Sequence, residues 1–376
     1  MIYLDNAATT LNKPHEVYFR SDSVLKKFSA NAGRSGHKAA LKAAEIIYSA
    51  RNTLKDFLYL ENPENIIFTF GCTDSLNILI RGLFKSGDHI ITSAYEHNSV
   101  LRPLEFMKNK GIEYSVIYPD EGFYISENAI INKIKPNTKA IIFNYVSNVT
   151  GYVQPIKRYC KIAKDYGLLM IADCAQAAGI QDMNIPCDYF CLAGHKGLYG
   201  PQGIGVLGIH ASAPLPEPLR TGGTGSRTFN LIQPEDMPEY LESGTLSVQN
   251  IAALEAGVKF VSSRQEKIYN HETHLAQFFI DNLKSIKNIR LYSPEKAKSG
   301  VISFNVGNKD SGEIADILDK KYSICVRGGF HCAPLCHKFL GTESQGAVRA
   351  SLSIFNTEKE LYYVLNALEQ IAKNRG

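Results

Sequence analysis

The chain has 376 residues, of which 44% are hydrophobic and 21% are charged, and its formal net charge is +4. The composition is that of a globular protein, and the length favours two domains over one. The charge is small and no five like charges stand together, so neither nucleic acid nor a membrane is expected as a partner. The sequence shows no apolar run of roughly 18 residues and no signal-peptide pattern, which speaks against a membrane span and against secretion.

The eight cysteines stand at irregular spacings along the chain. Cys174, Cys191 and Cys325 lie inside apolar runs, where a buried and reduced thiol is the usual state. This pattern predicts free thiols in place of a disulfide framework, and therefore a cytoplasmic protein.

From about residue 65 to residue 210, short β-rich runs alternate with helical patterns. The predicted strands are, in chain order, ENIIFTF, DHIITSAY, KAIIFNYVS, LLMIADC, DYFCLA and GIGVLGI. Helices are predicted between them over TDSLNILIRGLF, SVLRPLEFMKNKG and IKRYCKIAKDYG. Apolar strands separated by helices predict an α/β fold with a mostly parallel sheet covered on both faces.

Sheets of this kind bind ligands at the carboxyl ends of their strands. Five polar residues stand at or just after the ends of the strand-like runs, and these are Thr73, His97, Asn148, Asp173 and Lys196. We therefore expect these five side chains to meet at one edge of the sheet.

The rest of the chain predicts a long, partly ordered excursion over residues 211–245 and a helix over residues 250–285. The runs NIRLYSP and GVISFNV, with a final helix after Asn356, predict a smaller α+β domain. The predicted division is a large domain over residues 16–250, and a small domain over residues 251–376 that also includes the N-terminal segment 1–15.

Lys196 stands at the end of an apolar run, in the glycine-rich stretch CDYFCLAGHKGLYGPQGIG. A partly desolvated lysine can lose its proton there and form a Schiff base with an aldehyde cofactor. Asp173 closes the run LLMIADC, where a carboxylate must be paired or must bind a cation. A pyridinium nitrogen is such a cation, so the two residues together indicate pyridoxal phosphate.

Three further residues are candidates for contacts with this cofactor. Thr73 lies in a strand-to-helix turn that can hold a phosphate, although plain helix capping explains the same residues. His97 can stack on an aromatic ring, although a lone histidine is more often hydrogen-bonded in a core or loop. Gln176, three residues after Asp173, can donate a hydrogen bond to a phenolic oxygen.

The segment RGGFHCAPLCH brings together His331, Cys332, Cys336 and His337. Zinc is the alternative explanation of this segment, but adjacent side chains diverge and the usual spacings of structural zinc sites are missing, so no metal site is predicted.

Eight motifs carry a family resemblance, and these are YLDNAATT, EHNSV, NYVSNVTG, ADCAQAAG, AGHKGLYGPQGIGVL, ESGTLS, RGGFHCAP and GAVRASLSIFNTEKE. They stand in the order seen in class V, fold-type I pyridoxal-phosphate enzymes, and they cover nearly the whole chain. Within that family the sequence resembles the cysteine desulfurase branch, which includes selenocysteine lyases. The resemblance implies a seven-stranded, mostly parallel sheet in the large domain.

The resemblance also implies roles for individual residues. The residues implied to bind the cofactor are Thr73, His97, Asp173, Gln176, His195, Lys196 and, from the other subunit of a homodimer, Thr245. Those implied to bind the carboxylate of the substrate are Asn148 and Arg349, and a guanidinium fork suits a carboxylate. The implied catalytic residues are Lys196, Cys332 and His97.

The reaction implied by the resemblance converts L-cysteine to L-alanine and leaves a persulfide on Cys332. Lys196 removes the α-proton, His97 protonates the leaving sulfur, and Arg327 or His331 favours the Cys332 thiolate. The persulfide then passes to a sulfur-acceptor protein, as in iron–sulfur cluster assembly. The alternatives are a selenocysteine lyase, a class V aminotransferase, or a non-catalytic binding protein on the same scaffold.

The chain departs from the family pattern at three positions. Ala193 replaces a serine that contacts the cofactor phosphate in many relatives, and Ser226 is a candidate substitute. Phe330 stands where close desulfurases often have a second histidine. Cys336 is an additional thiol, either a small residue packed in a turn or a partner that resolves the persulfide into a disulfide.

Overall fold

The computed structural model of the chain describes residues 1–32, 35–227 and 229–373. Within these ranges the strands are β1 (Ile2–Tyr3), β2 (Ile66–Thr69), β3 (His89–Ser93), β4 (Glu113–Ile117), β5 (Thr138–Asn144), β6 (Leu169–Asp173), β7 (Tyr189–Ala193), β8 (Gly205–Ile209), β9 (Ile289–Leu291), β10 (Val301–Val306), β11 (Ile324–Cys325) and β12 (Val348–Ser351).

The helices alternate with the strands through most of the chain. They are α1 (His15–Lys27), α2 (Lys38–Phe57), α3 (Cys72–Gly82), α4 (Asn98–Lys108), α5 (Glu127–Ile131), α6 (Ile156–Asp165), α7 (Val248–Ser262), α8 (Gln265–Ser285), α9 (Ser311–Tyr322), α10 (Pro334–Leu340) and α11 (Glu358–Lys373), with a short 3₁₀ helix over Pro63–Asn65. None of the helices in the described part of the chain is long and apolar enough to cross a membrane.

The largest sheet has seven strands in the order β2-β8-β7-β6-β5-β3-β4. The strands from β7 to β4 pair in parallel, while β8 runs antiparallel to both β7 and β2. The prediction of a mostly parallel seven-stranded sheet is thus confirmed. The sequence pattern missed β4, because this edge strand is half-exposed and its sequence EYSVI mixes polar with apolar residues.

Both faces of this sheet are buried, and alternate residues of β5 show it. Ile141 and Phe143 pack into the core cluster shared with α2, α6 and α7, whereas Ala140 and Ile142 pack with α3 and α4. Successive side chains of a strand point to opposite faces, so a strand covered on both faces needs an unbroken apolar run. This is why the strands were readable from sequence as continuous apolar runs.

The helices that cover the sheet are apolar on one face only, the face that packs against the strands. In α6, the buried residues Ile156, Tyr159, Cys160 and Ala163 recur three or four positions apart, while the lysines between them face outward. The helix predicted over residues 250–285 is two helices, α7 and α8, which are separated at Ser263 and Arg264.

Two smaller sheets join the ends of the chain. Strands β12, β10 and β9 form an antiparallel sheet, and β1 pairs in parallel with β11. The N-terminal residues therefore lie beside the C-terminal part of the chain. The domain boundary predicted at residue 250 falls within α7, and the division into two domains stays a prediction.

Glu272 of α8 is a buried carboxyl group beside Tyr199, and burial raises its pKa from 4.5 to about 8. In the unfolded chain this carboxyl ionises near pH 4.5, so between pH 4.5 and 8 the folded state binds more protons and loses stability as the pH rises. We expect Glu272→Gln to remove this slope, which amounts to at most about 1.4 kcal/mol per pH unit.

Urea unfolding at about pH 5, 6.5 and 8, three points that span this pH range, tests this expectation. The free energy of unfolding of Glu272→Gln, relative to the wild type, should increase with pH. A relative value that stays constant across the window would contradict the prediction. Glu295→Gln is the control, because the side chain of Glu295 is 91% exposed.

Candidate active site

The carboxyl ends of the parallel strands open on a cavity of about 500 Å³. The predicted site residues that line it are Thr73, His97, Asn148, Asp173, Gln176, His195 and Lys196. Thr245, Cys332 and Arg349 lie outside this lining. The five residues that follow strand-like runs are therefore together at one edge of the sheet.

Lys196 follows β7 in a tight turn that is fixed to the N-terminal segment. The hydroxyl of Thr10 donates to the Lys196 carbonyl at 2.7 Å. Gly197 is required in this turn, because a Cβ there would lie 2.3 Å from the Ala178 carbonyl oxygen. Burial lowers the pKa of the Lys196 amine from 10.5, and the positive charges of Arg349 and Arg327 lower it further, against the opposing effect of Asp173.

Asp173 closes β6 and is 4% exposed. Its Oδ1 accepts a hydrogen bond from the Ala175 amide at 2.9 Å and one from the Cys72 thiol at 3.3 Å. Its second oxygen makes no hydrogen bond with the described residues. A buried carboxylate held in this way has one oxygen left for a cationic group in the cavity.

His97 caps α4 and is fixed in one tautomer. Its Nδ1 accepts a hydrogen bond from the Ser99 amide at 3.0 Å, so the proton of a neutral ring is on Nε2. Burial and the positive charge of Lys196 lower the pKa of the ring to about 4. At neutral pH the ring is uncharged and offers a flat face and an Nε2–H donor, not an imidazolium.

The first turn of α3 lies at the end of the cavity nearest β2. The amides of Asp74 and Ser75 donate to the Gly71 carbonyl at 3.0 and 3.2 Å. The first amides of the helix, on Cys72 and Thr73, have no carbonyl partner among the residues that the structure describes, which is the usual state of a helix N-terminus. Such a terminus favours a bound anion.

His195 stands beside Lys196, and its Nδ1 is buried without a hydrogen-bond partner among the described residues. Burial, with the nearby Lys196 and Lys13 charges, lowers the pKa of its ring to about 4. Ala193 is buried at the end of β7 and offers no hydroxyl, and Ser226 lines a different cavity. Within this chain Ser226 therefore does not substitute for the missing serine.

Two other predicted cofactor residues have partners of their own. The side-chain amide of Gln176 donates to the Ala7 carbonyl at 2.9 Å, so one of its N–H groups is already used. Thr245 is exposed, and its hydroxyl accepts a hydrogen bond from the Asn31 amide at 3.4 Å.

Arg349 is 1% exposed on β12, and its guanidinium is held by two groups. Nη1 donates to the Asn148 carbonyl at 3.1 Å, and Nη2 donates to Oδ1 of Asp5 at 2.9 Å. Its Nε is buried without a partner among the described residues. Asp5 lies in the motif YLDNAATT but was not among the predicted site residues.

Cys332 lies on a loop that is bound to the cavity wall. The Asn98 amide donates to the Cys332 carbonyl at 2.7 Å, and the Asn148 side chain donates to the His331 carbonyl at 2.8 Å. His331 donates from Nε2 to the Ala347 carbonyl at 2.9 Å. Both His331 and Cys332 have a left-handed backbone, with φ of 47° and 56°, which only tight surroundings maintain in residues other than glycine.

Arg327 places a positive charge beside the thiol, with its Nη2 4.0 Å from the Cys332 Sγ. His331 does not supply a charge, because burial and the Arg349 charge lower its pKa to about 2. Cys336 is fully buried in α10, and burial raises the pKa of its thiol to about 12. In the described part of the chain, no group of three or more histidine, cysteine or acidic side chains is placed to hold a metal ion.

The donor set of the cavity fits one kind of cofactor. A lysine amine with a lowered pKa complements an aldehyde, and a buried carboxylate complements a protonated pyridine nitrogen. The flat face of His97 suits an aromatic ring. The α3 N-terminus and the unpartnered Nδ1 of His195 suit a phosphate. These are the parts of pyridoxal phosphate.

Comparisons with known proteins point in the same direction. The family model described as "Aminotransferase class-V" matches residues 2–364. A probable cysteine desulfurase of Methanothermobacter thermautotrophicus is 31% identical, and the alignment covers 99% of this chain and 94% of that protein. A probable cysteine desulfurase of Pyrococcus abyssi is 32% identical, with 100% and 95% covered. The apo structure of a cysteine desulfurase from Thermococcus onnurineus NA1 matches with a TM-score of 0.93 at 33% identity, with 100% and 95% covered.

Proposed function

The chain belongs to the class V aminotransferase family and, within it, to the cysteine desulfurases, and from this we propose that it converts L-cysteine to L-alanine with pyridoxal phosphate. One observation about the site carries the proposal. Lys196 and Asp173 line the cavity, and the loop that contains His331 and Cys332 (the thiol loop) is hydrogen-bonded to Asn98 and Asn148 at the cavity wall. An aminotransferase needs the lysine and the aspartate of the cavity, but it does not need a cysteine loop beside them.

The family cofactor is pyridoxal phosphate, which when bound withdraws electrons from the α-carbon of an amino acid and thereby weakens its carbon–sulfur bond. We assign Asp173 to the pyridine nitrogen, His97 to the ring face and Gln176 to the phenolic oxygen. Thr73 and His195, with the N-terminus of α3, are assigned to the phosphate. The exposed position of Thr245, away from the cavity of its own chain, supports its assignment to the phosphate of a second subunit.

Substrate binding is assigned to Arg349 and Asn148. The guanidinium of Arg349 is buried and is held by the Asn148 carbonyl and by Asp5, and its fork matches the two oxygens of a carboxylate. Asn148 has one N–H on the His331 carbonyl, which leaves the second N–H for the substrate. The carboxylate of the substrate would thus be fixed beside His331, the residue before Cys332.

Lys196 is assigned the proton transfers at the substrate carbons. Its amine can accept the α-proton because burial and the nearby arginines hold its pKa below 10.5. The neutral His97 can donate a hydrogen bond from its Nε2–H to the substrate sulfur while Cys332 attacks it. It is not assigned as an imidazolium acid, because its pKa of about 4 leaves almost no imidazolium at neutral pH.

Cys332 is assigned the transfer of sulfur. Its thiolate attacks the sulfur of the substrate, so a sulfur–sulfur bond forms and the carbon–sulfur bond breaks. The electron pair stays with the substrate carbon, which takes a proton and leaves as L-alanine. Arg327 offers a positive charge 4.0 Å from the attacking sulfur, where negative charge is present before the attack and on the persulfide afterwards.

The persulfide is proposed to pass to an acceptor protein of the iron–sulfur cluster assembly type. All eight cysteines are free thiols in the structure, which supports the proposal of a reducing, cytoplasmic setting. The test is an assay of the purified protein for alanine and sulfide from L-cysteine, with L-selenocysteine as a parallel substrate. No alanine from L-cysteine, with cofactor bound, would refute the proposed function.

Asp173→Asn should weaken cofactor binding by at least about tenfold and slow turnover by about a hundredfold. The amide keeps the shape of the side chain and its bond from the Ala175 amide, but it removes the negative charge assigned to the pyridine nitrogen. Titration of the apoprotein with pyridoxal phosphate, followed by absorbance, measures the affinity. Asp182→Asn is the control, because Asp182 is a half-exposed partner of Lys157, and equal affinities in both variants would contradict the assignment.

A further inference from the structure

The N-terminal segment, residues 3–10, connects the two halves of the site. At one end, the Thr10 amide donates to the His195 carbonyl at 3.0 Å, and the Thr10 hydroxyl donates to the Lys196 carbonyl at 2.7 Å. At the other end, Asp5 forms a parallel bridge with Ser351, two residues beyond Arg349. The segment thus lies in contact with both the lysine turn and the strand of the substrate arginine.

Asp5 uses this position to form an ion pair with Arg349. The Nη2–Oδ1 distance is 2.9 Å, and the side chains of Arg349 and Asp5 are 2% and 22% exposed. Arg349 is fixed by burial, whereas the partly exposed Asp5 has room to adjust. One N–H of a terminal guanidinium nitrogen is thereby bound to a carboxylate that belongs to the chain.

The Asn148 carbonyl accepts one N–H of the other terminal nitrogen, Nη1, at 3.1 Å. The second N–H of each terminal nitrogen remains for a ligand, and Nε has no partner within the described residues. An incoming carboxylate can therefore bind, but it shares the positive charge of Arg349 with Asp5 or displaces Asp5. In either case it binds close to a like charge, which costs free energy in a poorly hydrated site.

We propose that Asp5 is a positioning residue that holds Arg349 in place before the substrate binds and competes with the carboxylate of the bound amino acid. The proposal rests on the function proposed above, since it takes Arg349 as the carboxylate-binding residue. Its consequence is weaker binding of substrate and product alike. L-alanine, which has the same carboxylate and no thiol to react, is then released readily.

The test is the holoenzyme of Asp5→Asn. The amide retains the shape and the acceptor oxygen that orient Arg349, and it removes only the competing charge. We expect the KM for L-cysteine and the inhibition constant of L-alanine to fall about tenfold each, while kcat changes by less than about threefold. L-alanine binding is also measured without turnover, from the change in cofactor absorbance.

Cysteamine is the matched ligand, because it has the amine and the thiol of cysteine but no carboxylate. Its inhibition constant should be the same in Asp5→Asn and in the wild type. Asp182→Asn is the matched variant at a distant ion pair and should leave all constants unchanged. Asp5→Glu keeps the charge, so its L-alanine affinity should stay near that of the wild type.

The proposal is overturned if Asp5→Asn binds L-alanine no more tightly than the wild type, or if the affinity for cysteamine rises in parallel. If Asp5→Asn does not fold, Asp5→Ser removes the same charge and should give the same tighter L-alanine binding. A wild-type protein that forms no alanine from L-cysteine would refute the proposed function. L-alanine binding to the two holoenzymes would still decide the role of Asp5.

Discussion

Replacing Cys332 with serine should reduce alanine formation from L-cysteine by at least about a thousandfold and leave the cofactor bound. Serine has nearly the same shape, but its hydroxyl is a far weaker nucleophile toward sulfur than a thiolate. The loop should keep its conformation, because its contact with Asn98 is made by the Cys332 carbonyl and not by the side chain. Cofactor binding should be unaffected, since Cys332 lies outside the lining of the cavity.

The measurement combines an alanine assay with mass spectrometry of the protein after incubation with L-cysteine. Wild-type protein should gain the mass of one sulfur atom on the peptide that contains Cys332, and the variant should not. Cys325→Ser is the control, because Cys325 lies on β11 away from the cavity, and it should remain active. Full activity of Cys332→Ser would show that another group accepts the sulfur.

A variant at Cys336 can be compared with Cys332→Ser in the same alanine assay. Its thiol is fully buried, and burial raises its pKa to about 12, so it is protonated at neutral pH and shielded from solvent. Cys336→Ala should therefore keep most of the desulfurase activity. A large loss in this variant, with normal folding, would favour the alternative in which Cys336 resolves the persulfide.

The central strands were predictable because each is covered on both faces and so is a continuous apolar run. The edge strand β4 was not, since one side of it faces solvent and its residues are mixed. Lys196 and Asp173 could be predicted for a related reason. A charged residue at the end of an apolar strand must have a function or a partner, and parallel strands place their carboxyl ends together.

The contacts around Arg349 could not be predicted in this way. Its ion pair with Asp5 spans 344 positions and its bond to the Asn148 carbonyl spans 201, so no local pattern contains either. The left-handed backbone of Cys332 was also hidden, because cysteine, unlike glycine or asparagine, is not a residue type that signals such a turn. Local periodicity predicts the elements, whereas these contacts depend on how the ends of the chain meet.

Lys196→Ala should show the largest loss of any single substitution, a fall in turnover of at least about ten-thousandfold. Two functions that we propose for Lys196 would disappear together: the covalent anchor of the cofactor and the base at the α-carbon. The turn itself should survive, because the Thr10 hydroxyl bonds to the backbone carbonyl of Lys196. Borohydride reduction should fix the cofactor covalently to the wild-type chain and not to the variant.

The two functions of Lys196 can be separated by adding a small amine to Lys196→Ala. An amine such as methylamine can take the α-proton in place of the side chain, so part of the turnover should return while the cofactor stays unanchored. Lys196→Arg should not be rescued, because a guanidinium keeps its proton and still fills the space. Lys157→Ala, at an exposed ion pair, should behave as the wild type. If Lys196→Ala kept a reducible link to the cofactor, the anchor would be a different residue, and the site would have to be assigned again from the cavity outward.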